Sequence, residues 1–330
     1  MWKTVNYEVC GRGHKKDSIP CQDKTYSSYI KNVNIIALAD GAGSARLSHY
    51  GAEVVIKAAS EYISNNFDAV INNEDGKEVK INILNYLLDA LKNKSTELSC
   101  DLKDLASTFL MVAVKDDVFL IIHIGDGVIG YLKGHELKIA SRPENGEFAN
   151  TTTFVTSKDA LSSMKLFRGK TDNIHGFVLM SDGTSDSLYN KKDATLAPVI
   201  TKMMHRNAIL DHDKIFEKIK QSFDSVIVNN TLDDCSIAIM SRKSEILCDY
   251  QDMNDLGKCD LLGIVYGTNS YKQQISKYDY IVNYLHKPRT LEQVSRQLYI
   301  KKKYARKHLD KLLATGLITR VGHKYAQYIK

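Results

Sequence analysis

None of the six cysteines, at positions 10, 21, 100, 235, 248 and 259, forms a Cys-x-x-Cys pair. That absence argues against a zinc ribbon or a disulfide framework and leaves reduced, mostly buried thiols. Long apolar runs are missing too. The longest, such as Val118 to Ile124, fall far short of a bilayer span, and no apolar segment follows a basic start, so the expected location is the cytoplasm. Histidine and cysteine do not cluster, so a metal centre built on nitrogen or sulfur ligands is not suggested. The composition does not favour disorder: 330 residues, 43% hydrophobic and 25% charged, allow one sizeable core plus a smaller domain.

What the chain does have is aspartate at the ends of apolar strands. The segments are Cys-Gln-Asp at Cys21 to Asp23, Ala-Asp-Gly-Ala-Gly-Ser at Ala39 to Ser44, Ser-Asp-Gly-Thr-Ser-Asp at Ser181 to Asp186, and Asp-Asp-Cys-Ser at Asp233 to Ser236. One Asp-Gly is an ordinary turn. Carboxylates delivered from several strand ends to one point repel each other unless a divalent cation gathers them, so the set suggests a metal cluster.

Val33 to Ala39 reads as a buried strand ended by the Asp40 to Gly43 turn. Ala52, Val55, Ile56, Ala59 and Ile63, then Leu84, Leu87, Leu88 and Leu91, recur at helical spacing and predict two core-packing helices. From Thr108 onward the runs Phe109 to Val114, Val118 to Ile124, Val128 to Leu132, Thr151 to Thr156, Phe177 to Met180 and Ser236 to Met240 predict strands. Asp116-Asp117 and Lys133-Gly134 predict hairpin turns. Early helices inserted among many antiparallel strands imply an α+β domain with helices on the outer faces of its sheets, rather than a parallel doubly wound sheet.

Asp40-Gly41, Gly125-Asp126-Gly127, Ser181-Asp182-Gly183 and Asp233-Asp234, with Ser107-Thr108 before a strand and His123-Ile124 after one, come in an order that resembles the metal-dependent type 2C protein phosphatases. The resemblance runs from about Gly11 to Met240, and Gly11 to Asp23 with Pro143 to Thr153 is most similar to a prokaryotic branch. It implies a β-sandwich of antiparallel sheets flanked by helices, and hydrolysis of phosphoserine or phosphothreonine monoesters in proteins. Two Mg²⁺ or Mn²⁺ ions, roughly 3.5–4 Å apart, would activate water and neutralise the phosphoryl oxygens.

By family position Asp40 would bridge the ions and the Gly41 carbonyl would bind one of them. Asp182 and Asp233 would complete the other shell, Asp23 would orient waters at the first, and Asp126 would hold a third ion. Departures from the family pattern are also legible. Gln22 stands where relatives carry Glu, removing one charge. Asp17 and Ser18 lie near where many relatives carry a phosphate-gripping Arg, leaving Arg12, His14 or Arg46, with Lys15 and Lys16, as substitutes. Ala42 replaces a His found after the Asp-Gly in many eukaryotic members, so a metal-bound water, His14 and His49 are the candidate acids. Glu144 to Asp172 falls where relatives carry a variable flap.

The sequence divides into a catalytic domain over 1–242, a polar connector over 243–270 and a basic module over 271–330. From Ser270 onward there are 14 Lys and Arg against 3 Asp and Glu. Tyr280, Ile281, Tyr284 and Leu285 mark a helix. A Thr290/Gln293 capping box opens a second, and Ala305, Leu309, Leu312 and Leu313 mark a third that stops at Gly316. With a hairpin about Gly322-His323, the pattern resembles a winged helix-turn-helix. Lys301, Lys302, Lys303, Arg306 and Lys307 would face DNA or RNA, while docking to protein and a simply solvated basic face are the competing readings. Two further functions stay open at this level: a non-catalytic phosphoprotein sensor controlling a DNA-binding C-terminus, and a hydrolase of small phosphoesters.

Overall fold

The computed structural model describes residues 1–134, 136–143, 152–243 and 250–327. They group into two compact units, one of Trp2–Ile200 and His212–Arg242, the other of Met1, Thr201–Asp211 and the described part of Lys243–Lys330. Among the described residues no helix is long and apolar enough to cross a membrane.

In chain order the first stretch holds β1 (Trp2–Val9), α1 (Arg12–Asp17), β2 (Lys24–Ile30), β3 (Val33–Ala39), α2 (Ser48–Asn72), α3 (Gly76–Glu97), β4 (Phe109–Lys115), β5 (Val118–Ile124), β6 (Val128–Lys133) and β7 (Glu136–Ser141). There follow α4 (Ala160–Ser163), β8 (Lys165–Lys170), β9 (Ile174–Met180), α5 (Asp182–Leu188), β10 (Tyr189–Asn190), β11 (Thr195–Leu196), α6 (Val199–Ile209), α7 (His212–Ser225) and β12 (Cys235–Arg242). Two five-stranded antiparallel sheets result, ordered β1-β12-β9-β6-β7 and β2-β3-β4-β5-β8. This is the α+β fold of antiparallel sheets with flanking helices that the sequence predicts.

The two-residue period of a strand explains why β3 and β4 read as unbroken apolar runs. Val33, Ile35, Ala37 and Ala39 of β3, with Phe109, Met111 and Ala113 of β4, face a core completed by Ile56, Ile63, Leu87 and Leu91 of α2 and α3. The alternate residues Ile36, Leu38, Leu110 and Val112 face Ile129, Phe177, Leu179 and Met240 of the other sheet. Both faces are therefore buried. On the far side, Tyr7 of β1 makes edge contacts with Phe216 and Phe223 of α7.

The hairpin turns stand where predicted, with Asp116 at φ 52° and Gly134 at φ 58°. The strand expected over Thr151 to Thr156 does not form: Thr151 lies outside the described residues, and the rest is bridge, loop and turn. Ser157 Oγ accepts from the Phe154 amide at 2.9 Å, a local side-chain bond that bends the chain away from a ladder. The expected flap, Glu144 to Asp172, is described only from Thr152.

In the smaller unit come α8 (Asp255–Leu262), α9 (Tyr271–Tyr284), β13 (Arg289–Thr290), α10 (Leu291–Gln297), α11 (Lys302–Thr315), β14 (Ile318–Val321) and β15 (Lys324–Gln327), with strand order β13-β15-β14. The capping box is present, Gln293 N donating to Thr290 Oγ1 at 3.2 Å and Thr290 N to Gln293 Oε1 at 2.9 Å. The sequence suggests a connector or a peripheral extension before residue 271. Instead Tyr250, Met253, Cys259, Leu261 and Leu262 join the core formed by Ile281, Leu285, Leu309 and Leu312. Asn254 caps α8 by accepting from Gly257 N at 2.8 Å, and Tyr250 donates to Asp279 at 2.6 Å. Eight residues are too few for a clear helical period, which explains the misleading sequence pattern.

Phe177 is fully buried between the sheets, against Trp2 and Phe119. Phe177→Ala should cost about 3–5 kcal/mol in a urea titration, because the rigid sandwich cannot collapse into the space.

Candidate functional site

Antiparallel register brings the aspartates together. Lys24 pairs with Ala39, so Asp23 at the entrance of β2 abuts Asp40 at the exit of β3. In the other sheet Ile237 pairs with Met180, and the Ser181 amide donates to the Ser236 carbonyl at 3.3 Å. The entrance of β12, carrying Asp233 and Asp234, therefore lies beside Asp182. Asp126 follows β5 in a turn where Gly125 adopts φ 113°. The ends of both sheets supply the site, and single oxygens of Asp40, Asp126 and Asp182 lie within 4.8 Å of one another.

The electrostatics of this arrangement are unfavourable as they stand. Asp23 is fully buried, and neither carboxylate oxygen has a hydrogen-bond partner among the described residues. Burial raises its pKa to about 8; the Ser236 and Ser181 hydroxyls oppose the rise without aligning to donate, and Asp234 and Asp182 add repulsion. Burial also lifts Asp40 well above the carboxylate range, reinforced by the charges of Asp23, Asp182, Asp233 and Asp126. Asp182 rises to about 6, again chiefly through burial and then through Asp233 and Asp126. Asp233, at the exposed rim, is raised by partial desolvation of its carboxyl and by Asp234 and Asp126, against a bond from the Asp234 amide at 2.8 Å. Such crowding favours either protonation or a bound cation.

Neighbouring groups hold the carboxylates in place. Thr108 brackets Asp40: its amide donates to the Asp40 carbonyl at 2.8 Å and its hydroxyl accepts from the Asp40 amide at 2.9 Å. Thr152 donates to Asp126 Oδ2 at 2.5 Å. A Cβ on Gly41 would come 2.8 Å from the Ser48 side chain, so only glycine lets the turn sit this close to α2.

Asp234, whose neighbour Asp233 carries the sequence assignment, is buried and accepts from two amides. These are Gly11 at 2.6 Å and Gln22 at 2.5 Å, and His14 Nδ1 lies 3.0 Å away. It clasps the Gly11–Asp23 segment to the start of β12. The Asp-Asp pair was visible in the sequence, but adjacent residues of an extended segment point opposite ways, and the chain alone does not say which faces inward.

The cationic candidates separate. His14 sits beside the cluster through Asp234. Arg12 is exposed and donates to the Thr231 carbonyl at 3.2 Å. Arg46 is exposed and lines a polar cavity of about 470 Å³ with Ser99, Cys100, Asp101 and Asp104, whose lining includes none of the acidic cluster. His49 is lowered by burial and by Lys24. His123, fully buried with Nδ1 2.6 Å from Ser141 Oγ, is pushed down to about 3 and is neutral. Gln22 is buried, and its Oε1 has no partner among the described residues.

A sandwich whose strand ends converge on a carboxylate cluster has the architecture of a phosphoester hydrolase centre. Residues 10–222 match the family described as Protein phosphatase 2C, and the chain belongs to that family, as a protein serine/threonine phosphatase. It is 28% identical over 244 residues to Serine/threonine-protein phosphatase 3 of Escherichia coli (strain K12), covering 71% of this chain and 95% of that protein. Among solved structures, serine/threonine phosphatase Stp1 from Staphylococcus aureus superposes with a TM-score of 0.52 at 13% identity, over 74% of this chain and 96% of that one. The catalytic domain of the phosphatase PstP, solved in complex with 2 manganese ions, gives 0.51 at 14% identity, over 73% and 97%. At such identities the structural likeness speaks for the fold.

Because Asp23 and Asp182 hold protons in the folded state at pH values where the unfolded chain has lost them, folding takes up protons. Their contribution to stability is complete below about pH 4 and is lost as pH rises through about 6 and about 8, at up to about 1.4 kcal/mol per pH unit per group. Denaturation in EDTA should show the protein weakening from about pH 5 to about pH 8, with a shallower slope for Asp23→Asn. Asp234→Ala, which strands two buried amides, should cost about 2–4 kcal/mol in the same assay.

Proposed function

We propose that the chain hydrolyses phosphoserine and phosphothreonine monoesters in proteins with two Mg²⁺ or Mn²⁺ ions, a third being held more weakly, at the cluster of Asp23, Asp40, Asp126, Asp182 and Asp233. The observation that carries this reading is the pair of partnerless oxygens on fully buried Asp23, beside a crowded Asp40. Cations fit that donor set: all-oxygen, hard and multiply anionic. When bound, divalent ions neutralise charge on the phosphoryl group and activate water as the nucleophile.

The chain's own residues position these parts. Asp40, reached by the charge of every other member, would be the central ligand, with the Gly41 carbonyl next to it in the chain. Asp182 and Asp233, at the β9 and β12 ends, would hold one ion, Asp23 would help hold the other, and Asp126, steadied by Thr152, would hold the third. Gln22 offers an uncharged oxygen where a second acid would add charge, which lowers the affinity expected of the first site. His14, beside Asp234, is the best placed of the cationic candidates to meet a phosphate, ahead of Arg12 and Arg46. The smaller unit acts as a targeting or regulatory module.

The neutral Gln22 also supports a second reading, a phosphoprotein sensor with little turnover. The assay that separates the two is Mn²⁺-dependent release of phosphate from a phosphothreonine peptide. Asp40→Asn and Asp182→Asn should each lower the rate by at least about 100-fold while circular dichroism is unchanged. A metal-replete protein that binds the phosphopeptide without turning it over would support the sensor instead.

A further inference from the structure

Outside the acidic centre, a run of exposed cations lies on one helix of the smaller unit. The rotation of α11 is set by Ala305, Leu309 and Leu312, all fully buried. Opposite them Lys303, Arg306 and Lys307 are exposed at i, i+3 and i+4, and none makes an ion pair among the described residues. Lys302 lies 3.5 Å from Glu292, while Lys301, at the N-cap position, is likewise exposed and unpaired.

This placement works against the helix. Like charges three and four apart repel, and cations in the first turn oppose the positive end of the helix dipole. The helix has neither a side-chain cap nor an acidic residue in that turn to compensate. An external polyanion reverses all three effects together, because phosphates at a helix N-terminus meet both the amide groups and the lysines.

The surroundings narrow the polyanion to a duplex. Helix α10 precedes α11 across the short turn Leu298 to Lys301, pinned by the Ser295 hydroxyl donating to the Ile300 carbonyl at 2.6 Å. Tyr299 in that turn is 95% exposed, which leaves its ring free for sugar or base contact. On the other side the β14–β15 hairpin projects exposed Arg320, His323 and Lys324 around Gly322 at φ 61°. A helix about 10–12 Å across matches the major groove of B-DNA, about 12 Å wide, whereas the deep, narrow major groove of an A-form RNA duplex excludes it.

We propose that the smaller unit is a winged helix-turn-helix that binds double-stranded DNA, with α11 in the major groove and the β14–β15 turn against the backbone. Its residues are different from those of the acidic cluster. Arg306, whose fork can pair with guanine, is the base-reading candidate on that face, and the lysines supply phosphate contacts.

The test uses the full chain and a fluorescent duplex of about 24 base pairs, titrated by anisotropy at about 50 and about 200 mM salt. Binding should weaken on the order of 100-fold or more between those salts, as expected for several phosphate contacts. The triple variant Lys303→Glu, Arg306→Glu, Lys307→Glu should lose at least about 100-fold in affinity while hydrolysis of an aryl phosphate is unchanged. The neutral set Lys303→Gln, Arg306→Gln, Lys307→Gln guards against misfolding and should lose at least about 10-fold. A duplex RNA of the same sequence should bind at least about 10-fold more weakly. The proposal is overturned by no binding at the lower salt, by equal affinity in both variants, or by equal affinity for duplex RNA or polyglutamate. The last result would assign the face to an acidic protein partner.

Discussion

Mutual repulsion among carboxylates that have been taken out of water is the constraint around which the larger unit is arranged. Antiparallel register delivers Asp23 beside Asp40 and Asp182 beside the Asp233–Asp234 pair, and the packing of two sheets brings both sets to one end. Hydrogen bonds around the cluster hold it in place: the Thr152 hydroxyl and the amides of Gly183 and Asp234 donate to Asp126, Asp182 and Asp233, and others fix backbone. Thr108 fixes the Asp40 peptide, Asp234 fixes the peptides of Gly11 and Gln22, and the oxygens of Asp23 are left without a partner. The fold thus invests its rigidity in keeping acids close, which serves a site meant to be completed by cations.

Much of this was legible in the chain. The continuous apolar runs of β3, β4 and β5 announced strands buried on both faces, and the helical stripes of α2 and α3 announced what covers one of them. Asp-Gly at successive strand ends announced the cluster, because an acid repeated at the same place in several elements is not explained by turn chemistry alone. What the sequence did not disclose depended on three-dimensional neighbours. Asp234 as a clasp required knowing that Gly11, His14 and Gln22 arrive beside it. Arg46, plausible from its place in the loop, turned out to line a cavity apart from the acids. The run before Val155 alternated like a strand but closed into turns through the Ser157 hydroxyl. Residues 250–264 read as a connector because their helix is too short to show a period, yet they supply core.

The two units carry opposite charge problems. In the larger, anionic groups are buried and face one another; in the smaller, cationic groups are exposed along α11 and face solvent. Each arrangement is costly alone and would be relieved by a ligand of the other sign, divalent cations in one case and, in the proposal made for the smaller unit, a polyanion in the other.

The central claim is that cations replace protons among crowded aspartates. Isothermal titration of metal-free protein with Mn²⁺ near neutral pH, repeated in buffers of different ionisation enthalpy, counts both ions bound and protons released. The account predicts about two ions bound per chain, with protons released from the cluster as they enter. Absence of binding, or binding with no proton release at a pH below that of the raised Asp23, would contradict it.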